Sequence, residues 1–281
     1  MLKALYKELL TAFQNNGIDT PELDARYILQ ERCAIDWSDL ITNPAKQIPQ
    51  NQIDLAKKDM AERLSGKPLS RIYGAREFWG AAFKVTQDTL DPRPDTETII
   101  DLALQRFPID SSLDILDLGT GTGCILIALL REFKNANGIG VDISQGAIDC
   151  ARQNALRNDC DGRTEFLHGS WLTPVLGSFD LIVSNPPYIK SAVIPDLSAE
   201  VKNHDPILAL DGGADGLTPY KIIFPQLKSV LKNDGIALFE IGYDQEKDIM
   251  RLAEESGFAQ RIVHLDIAGN PRVVEISCGD K

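Results

Sequence analysis

The chain has no long apolar run. In 281 residues no stretch approaches the roughly 20 consecutive apolar residues of a membrane helix, which excludes a helical membrane protein. The first residues, Met1-Leu2-Lys3-Ala4-Leu5-Tyr6-Lys7-Glu8, carry charge too early for a secretory signal. They also lack the arginine-rich, acid-poor pattern of an organelle transit peptide, so a cytoplasmic protein is expected. Cysteine is sparse and has no paired spacing. Cys33, Cys124, Cys150, Cys160 and Cys278 form an odd, dispersed set that suits reduced thiols acting as small buried hydrophobes. Histidine is scarcer still: His168, His204 and His264 are too few and too spread for a zinc site. Basic charge is also short. The net charge is −12; residues 1–70 hold 9 basic and 10 acidic residues, which leaves 20 basic and 31 acidic in 71–281. That deficit argues against duplex nucleic acid as substrate, because neutralising phosphate dominates such affinity. Internal repeats and low-complexity tracts are absent.

What is present is ordinary globular composition, 43% apolar and 25% charged, on a chain long enough for two domains. Residues 1–70 read as a small all-α domain. Leu2, Leu5, Leu9 and Phe13 recur at helical spacing before Gly17. Thr20-Pro21-Glu22 reads as a hydroxyl N-cap with proline at the first position. The helix it opens is expected to face Leu23, Tyr27 and Ile28 inward. A short segment at 37–41 follows, then a helix over 51–64 with Ile53, Ala56, Met60 and Leu64 inward. Residues 71–92 are expected to form a β-hairpin linker, with Arg76–Gly80 and Ala82–Val85 flanking a glycine turn. Pro92-Arg93-Pro94-Asp95-Thr96-Glu97 then stiffens the chain into a helix running through Leu104. Arg93 either meets a substrate backbone or pairs with Asp95 or Glu97.

Over 93–281 strand and helix patterns alternate. Strands are expected at 113–118, 138–142, 164–167, 179–184, 235–241, 260–265 and 272–277. Helices are expected at 122–132, 145–157, 219–231 and 245–256. This is an open α/β sheet, doubly wound and mostly parallel, with helices on both faces. No helix separates the last two strands, so an antiparallel last strand is expected, as in class I methyltransferases. Within it, Asp117-Leu118-Gly119-Thr120-Gly121-Thr122-Gly123 carries a strand into a glycine turn and then a helix. The Gly-x-Gly-x-Gly spacing differs from the Gly-x-Gly-x-x-Gly that cradles a dinucleotide pyrophosphate. Asp142 ends the next strand, where a carboxylate can accept both ribose hydroxyls. The ligand this suits is a nucleoside without phosphate, S-adenosyl-L-methionine, with Asp117 toward its methionine end. The plainer alternative is a structural turn plus a surface acid. Trp171, just past the third strand, either stacks on an adenine or is ordinary core.

The fourth strand runs into Asn185-Pro186-Pro187-Tyr188. The prolines fix their own φ, lack N–H donors and hold the preceding residues extended. Such a rigid turn offers the Asn185 side-chain oxygen and the Pro186 carbonyl as acceptors for one planar NH2 group, with the Tyr188 face beside it. Alone, Asn185 would be a turn residue before proline; at the end of this strand it marks a methyl-acceptor pocket. Glu240, at a later strand end, either lines this pocket or is structural.

Taken together, the chain resembles the protein-(glutamine-N5) methyltransferases that modify peptide chain release factors, over essentially its whole length. The resemblance rests on Tyr73–Trp79, Pro92–Glu97, Asp117–Gly123, Asn185–Tyr188, Ala209–Leu217, Glu240-Ile241-Gly242 and the terminal Asp266–Gly269 with Arg272-Val273-Val274. The family often carries an acid where Ser170 stands, and Glu-Pro where this chain has Asp205-Pro206. The resemblance implies that the substrate is the glutamine of the Gly-Gly-Gln tip of class I release factors, and that the helical N-terminal domain helps hold that protein. A ribosomal-protein glutamine, or a flipped adenine in nucleic acid, would suit the same pocket.

Overall fold

The computed structural model describes residues 1–279. The chain divides into two compact units, the first being Met1–Tyr73 and the second beginning at Gly74. Among the described residues, no helix is long and apolar enough to cross a membrane.

The first unit is helical: α1 (Leu2–Asn15), α2 (Pro21–Cys33), α3 (Trp37–Thr42), α4 (Gln50–Leu64) and α5 (Leu69–Tyr73). The stripe Leu2, Leu5, Leu9 and Phe13 is buried and packs with Ala25, Ile28 and Leu29. Two details depart from the apolar pattern. Leu23 is 60% exposed, and α2 instead turns Asp24 inward with Ala25, Ile28 and Leu29. Likewise α4 buries Asp59 and Arg63 beside Ala56, while Ile53, Met60 and Leu64 are partly buried. The cause is ion pairing. Arg63 meets Asp24 at 2.7 Å, Arg32 grips Asp59 at 2.5 and 3.1 Å, and the Tyr73 hydroxyl donates to Asp59 at 2.6 Å. A buried charge is tolerated when it is paired in this way. Thr20 does not cap α2 through its side chain; its hydroxyl donates to Asp24 at 2.9 Å.

The second unit opens with an antiparallel hairpin, β1 (Ala75–Phe78) and β2 (Ala81–Lys84). Trp79 and Gly80 form its two-residue loop at φ 48° and 63°. Both positive values are what a twisted hairpin turn demands. The turn therefore sits one residue earlier than glycine alone suggested. Trp79 is held there by its backbone N–H on Glu97 and its indole N–H on Glu132, both at 2.8 Å. A 3₁₀ turn at Pro94–Thr96 then leads into α6 (Glu97–Arg106).

The remaining elements are β3 (Asp114–Leu118), α7 (Cys124–Glu132), β4 (Asn137–Asp142), α8 (Gln145–Arg157), β5 (Thr164–His168), β6 (Phe179–Ser184), α9 (Ala199–His204), α10 (Thr218–Leu227), β7 (Leu231–Glu240), α11 (Glu246–Glu255), β8 (Gln260–Leu265) and β9 (Pro271–Ser277). The seven-stranded sheet has the order β5-β4-β3-β6-β7-β9-β8. Every neighbouring pair is parallel except those of β9, which runs antiparallel to β7 and β8. Residues alternate between faces as strand geometry requires. Ile115, Leu181, Val183 and Leu238 join one core, packed with α6 and α7. Leu116, Ile182, Ala237 and Phe239 join the other, packed with α10 and α11. Helix α10 ends at Leu227 rather than 231, and β7 starts at Leu231 rather than 235. The extra length is absorbed by a register shift against β6 between Phe179 and Leu181.

The chain passes outward from β3 through β4 to β5, then returns to β6 on the other side of β3. The crevice between the carboxyl ends of β3 and β6 is thus the topological switch point, where open α/β sheets bind ligands.

Candidate active site

At the end of β3 the glycine turn folds back on β4. The N–H groups of Gly119 and Thr120 both donate to the Val141 carbonyl, at 2.8 and 2.9 Å. Gly121 follows at φ 54°, and no atom lies within 4 Å of where its Cβ would stand, so the backbone is open to a ligand. Its N–H donates to one Asp142 oxygen at 2.9 Å, and the Ser144 N–H donates to the other at 2.8 Å. Burial pushes the Asp142 carboxyl up, and these two N–H bonds oppose the shift. Asp117 is fully buried. Thr120 donates to its Oδ2 at 2.6 Å, and its Oδ1 has no partner among the described residues. Burial pushes this carboxyl up to about 7, opposed by the Thr120 bond and reinforced by the Asp142 charge.

Trp171 sits at φ 49°, a left-handed conformation that bulky residues adopt only when their surroundings enforce it. Its ring packs on the second core and stands 3.4 Å from where a Cβ on Gly119 would be. It also lines the cavity.

Beyond β6, Asn185 donates its side-chain N–H to the Thr96 hydroxyl at 3.1 Å, and Thr96 donates to Glu240 Oε2 at 2.6 Å. Glu240, at the end of β7, is 1% exposed. Burial pushes its carboxyl up to about 7, against the Thr96 bond and the charge of Arg272. The Tyr188 hydroxyl reaches Glu240 Oε1 at a long 3.4 Å. Gln245 donates to the backbone carbonyls of Tyr188 and Gly216, at 3.0 and 3.1 Å, and pins the exit of the turn.

One cavity of about 510 Å³ joins these parts. Of the residues singled out from sequence, Arg93, Gly119, Thr120, Gly121, Thr122, Asp142, Trp171, Asn185 and Pro187 line it. Asp117 lies buried behind the turn, and Gly123 caps α7 at φ 77°. Pro186 and Tyr188 do not contribute to the lining. Residues not singled out complete the wall, among them Asp88, Leu90, Thr96, Ile207 and Leu208. Thr96 was within the quoted Pro92–Glu97 segment, but nothing local marks a threonine whose partners are 89 and 144 residues away. Arg93 pairs with neither Asp95 nor Glu97; its guanidinium meets Asp205 at 2.6 Å. Asp95 meets Arg272 at 3.2 Å instead.

A doubly wound sheet whose antiparallel strand is β9, with a glycine turn and Asn-Pro-Pro-Tyr at its switch point, defines a class I methyltransferase. The chain belongs to the release factor glutamine methyltransferase family. Residues 4–74 match the family described as PrmC N-terminal domain, and residues 95–201 match Methyltransferase small domain. The release factor glutamine methyltransferase of Agrobacterium fabrum is 39% identical over 274 residues, 95% of each chain. That of Caulobacter vibrioides is 40% identical over 259 residues, 92% of this chain and 90% of the relative. Two solved structures share the fold at low identity. The hMettl16 catalytic domain, solved with a MAT2A 3′UTR hairpin, matches at TM-score 0.60 and 16% identity, over 79% of this chain and 82% of its own. A methyltransferase from Pyrococcus furiosus matches at TM-score 0.53 and 19% identity, over 79% and 99%.

Proposed function

We propose that this protein transfers a methyl group from S-adenosyl-L-methionine to the side-chain amide nitrogen of the glutamine in the Gly-Gly-Gln motif of class I peptide chain release factors, in the cytoplasm. The observation that carries this reading is a single cavity lined by both the glycine turn and Asn185, in a chain about 40% identical over nine-tenths of its length to enzymes named for that activity. In this reading residues 1–70 recognise the protein substrate, 71–92 are the hairpin linker and 93–281 are catalytic. No nucleic acid or membrane is a partner.

The chain's own groups fit the cofactor. Asp117 Oδ1 is a buried acceptor with no hydrogen-bond partner among the described residues, suited to the amino group at the methionine end. Asp142 accepts the Gly121 and Ser144 N–H groups on different oxygens and lines the cavity as an acceptor suited to the ribose hydroxyls. Trp171 offers an aromatic face for adenine, and Gly119, Thr120, Gly121, Thr122 and Gly123 form the turn against which the ligand lies. Bound there, S-adenosyl-L-methionine would supply a methyl group on a sulfonium sulfur and leave as S-adenosyl-L-homocysteine.

An amide nitrogen is a poor nucleophile because its lone pair is delocalised into the carbonyl. In this mechanism the Asn185 Oδ1 and the Pro186 carbonyl each accept one N–H of the glutamine amide. These bonds orient the nitrogen and strengthen as positive charge develops on it. Pro187 walls the pocket, and Tyr188, which is outside the lining, would turn over the amide plane to close it. The nitrogen sheds one proton to solvent as it gains the methyl, so no side chain is required as base.

The test is mass spectrometry of a class I release factor incubated with the protein and S-adenosyl-L-methionine. A gain of one methyl group on the tip glutamine is expected. An unmodified glutamine, or a methyl elsewhere, would overturn the assignment.

A further inference from the structure

We infer that Glu240 and Thr96 are positioning residues for methyl transfer: together they fix which end of the Asn185 carboxamide faces the reacting amide. The inference rests on the function proposed above and adds a relay behind the residue that touches substrate.

A carboxamide is nearly symmetric in shape but opposite in chemistry at its two ends, one accepting and one donating. A pocket that must accept N–H groups from substrate fails if that side chain rotates by half a turn. Nothing in Asn-Pro-Pro-Tyr itself forbids the rotation. The structure supplies the missing constraint. The Thr96 hydroxyl has one hydrogen. Above pH 7, where Glu240 is ionised, it can only accept, and the 2.6 Å contact takes that hydrogen. The Thr96 oxygen is left with lone pairs alone, so Asn185 meets it only through its NH2, as observed at 3.1 Å. Oδ1 is then the end left free.

The geometry around Glu240 is built to hold this direction. Strand β7 pairs with β6 so that Phe239 lies opposite Ser184, which sets Glu240 beside Asn185. The Tyr220 hydroxyl, itself buried, donates to the Glu240 carbonyl at 2.6 Å and anchors the strand end. The other carboxylate oxygen is within reach of the Tyr188 hydroxyl, so one buried acid ties to both polar side chains of the tetrad. Among the described residues no cation is hydrogen-bonded to it, and the charge of Arg272 acts on it without a direct bond; a buried carboxylate held this way is a feature that packing alone does not call for.

The experiment compares Thr96→Val, Thr96→Ser and Glu240→Gln with the parent, measuring kcat and KM on release factor and calorimetric affinity for S-adenosyl-L-homocysteine. Thr96→Val keeps the shape and removes the hydroxyl. Its kcat should fall by about 10- to 100-fold, the scale of a mis-set transition-state hydrogen bond. KM and S-adenosyl-L-homocysteine affinity should stay within about twofold, because uniform binding is not what is lost. Thr96→Ser should restore most of the rate. Glu240→Gln should lose at least about 10-fold, and combining it with Thr96→Val should cost little more than either alone, as for groups in one network. Should Thr96→Val fold poorly, Glu240→Gln and Thr96→Ser carry the same comparison. Parent-level kcat in Thr96→Val or Glu240→Gln, failure of serine to rescue, or losses that multiply in the double variant would overturn the relay while the methylation assignment stands. A parent protein inactive on release factor would overturn both.

Discussion

On the glycine-turn side of the cavity, polar groups are tied by bonds that are short in sequence or run between adjacent strands. Thr120 reaches Asp117 three residues away, Ser144 reaches Asp142 two away, and Gly121 reaches Asp142 across one β-α-β unit. On the tetrad side, Asn185 depends on Thr96 and Thr96 on Glu240, at separations of 89 and 144 residues. Closing such long loops costs entropy that only the finished sheet repays. The first side is a local device, in which the turn's backbone and nearby side chains hold its two acids. The second is a side-chain device that exists only once β6, β7 and the turn before α6 are registered together. The contrast predicts that substitutions on the turn side act on cofactor affinity, and those on the tetrad side on turnover.

The largest expected effect is on the tetrad side. Asn185→Ala should lower kcat by about 10²- to 10³-fold, the scale for removing a preorganised transition-state hydrogen-bonding group. Calorimetric affinity for S-adenosyl-L-homocysteine should change less than about twofold. Equal losses in both would break the division between the two sides.

Next in size is the cost of the acid that organises the tetrad side. Burial holds the Glu240 carboxyl at about 7, above its ordinary 4.5, so the fold favours its protonated form. The ionised form then destabilises the protein fully above pH 7. That burden lightens as pH falls from 7 toward 4.5 and is gone below. At 1.36 kcal/mol per pKa unit it amounts to about 3 kcal/mol. Glu240→Gln should therefore be more stable than the parent by about that much at pH 8, and level with it near pH 4.5, in urea denaturation. Asp117 shifts in the same direction but is present in both proteins and cancels. A variant less stable than the parent at pH 8 would mean that Glu240 is a structural ion rather than a strained positioning one.

The same contrast decides what could be read from the sequence. Asp117, Gly119–Gly123 and Asp142 form a local pattern, legible because strand, turn and helix follow each other in the chain; of these, Gly119, Thr120, Gly121, Thr122 and Asp142 line the cavity. The sheet was legible for the same reason, since each strand carries a period-two or continuous apolar run. What escaped was non-local. Asp24 and Asp59 turn inward because arginines from other helices neutralise them, which no apolar template registers. Arg93 found Asp205 rather than the acids beside it, because the loop entering Pro206 returns to the cavity that Arg93 also lines. Glu240 was ambiguous as a strand-end acid until its partner Thr96 was in view.

On the turn side, Asp142→Ala removes an acceptor held by two backbone N–H groups. Charged hydrogen bonds of this kind contribute about 1.5–3 kcal/mol, so S-adenosyl-L-homocysteine affinity should weaken by about 10- to 100-fold. At saturating cofactor, kcat should stay within about threefold of the parent. A large kcat loss under saturation would join Asp142 to the tetrad side and dissolve the contrast.

The smallest effect sharpens the comparison at the level of the backbone. Gly121 sits at φ 54°, and an added Cβ would meet nothing within 4 Å. The cost of Gly121→Ala in the ligand-free protein is then the left-handed backbone penalty alone, about 1 kcal/mol. Gly212, on the loop behind the tetrad, has ordinary φ, but a Cβ there would sit 2.8 Å from the carbonyl oxygens of Pro187 and Gly216. Backbone atoms cannot swing aside as a side-chain tip does, so Gly212→Ala must shift the Pro187 strand of the loop. Urea denaturation of both variants without cofactor should give the mild loss at Gly121, and kinetics should give the lower kcat at Gly212. A turn-side loss of several kcal/mol would show that the glycine turn is held by more than its own dihedrals, and that the two walls are less different in construction than their bond lengths along the chain imply.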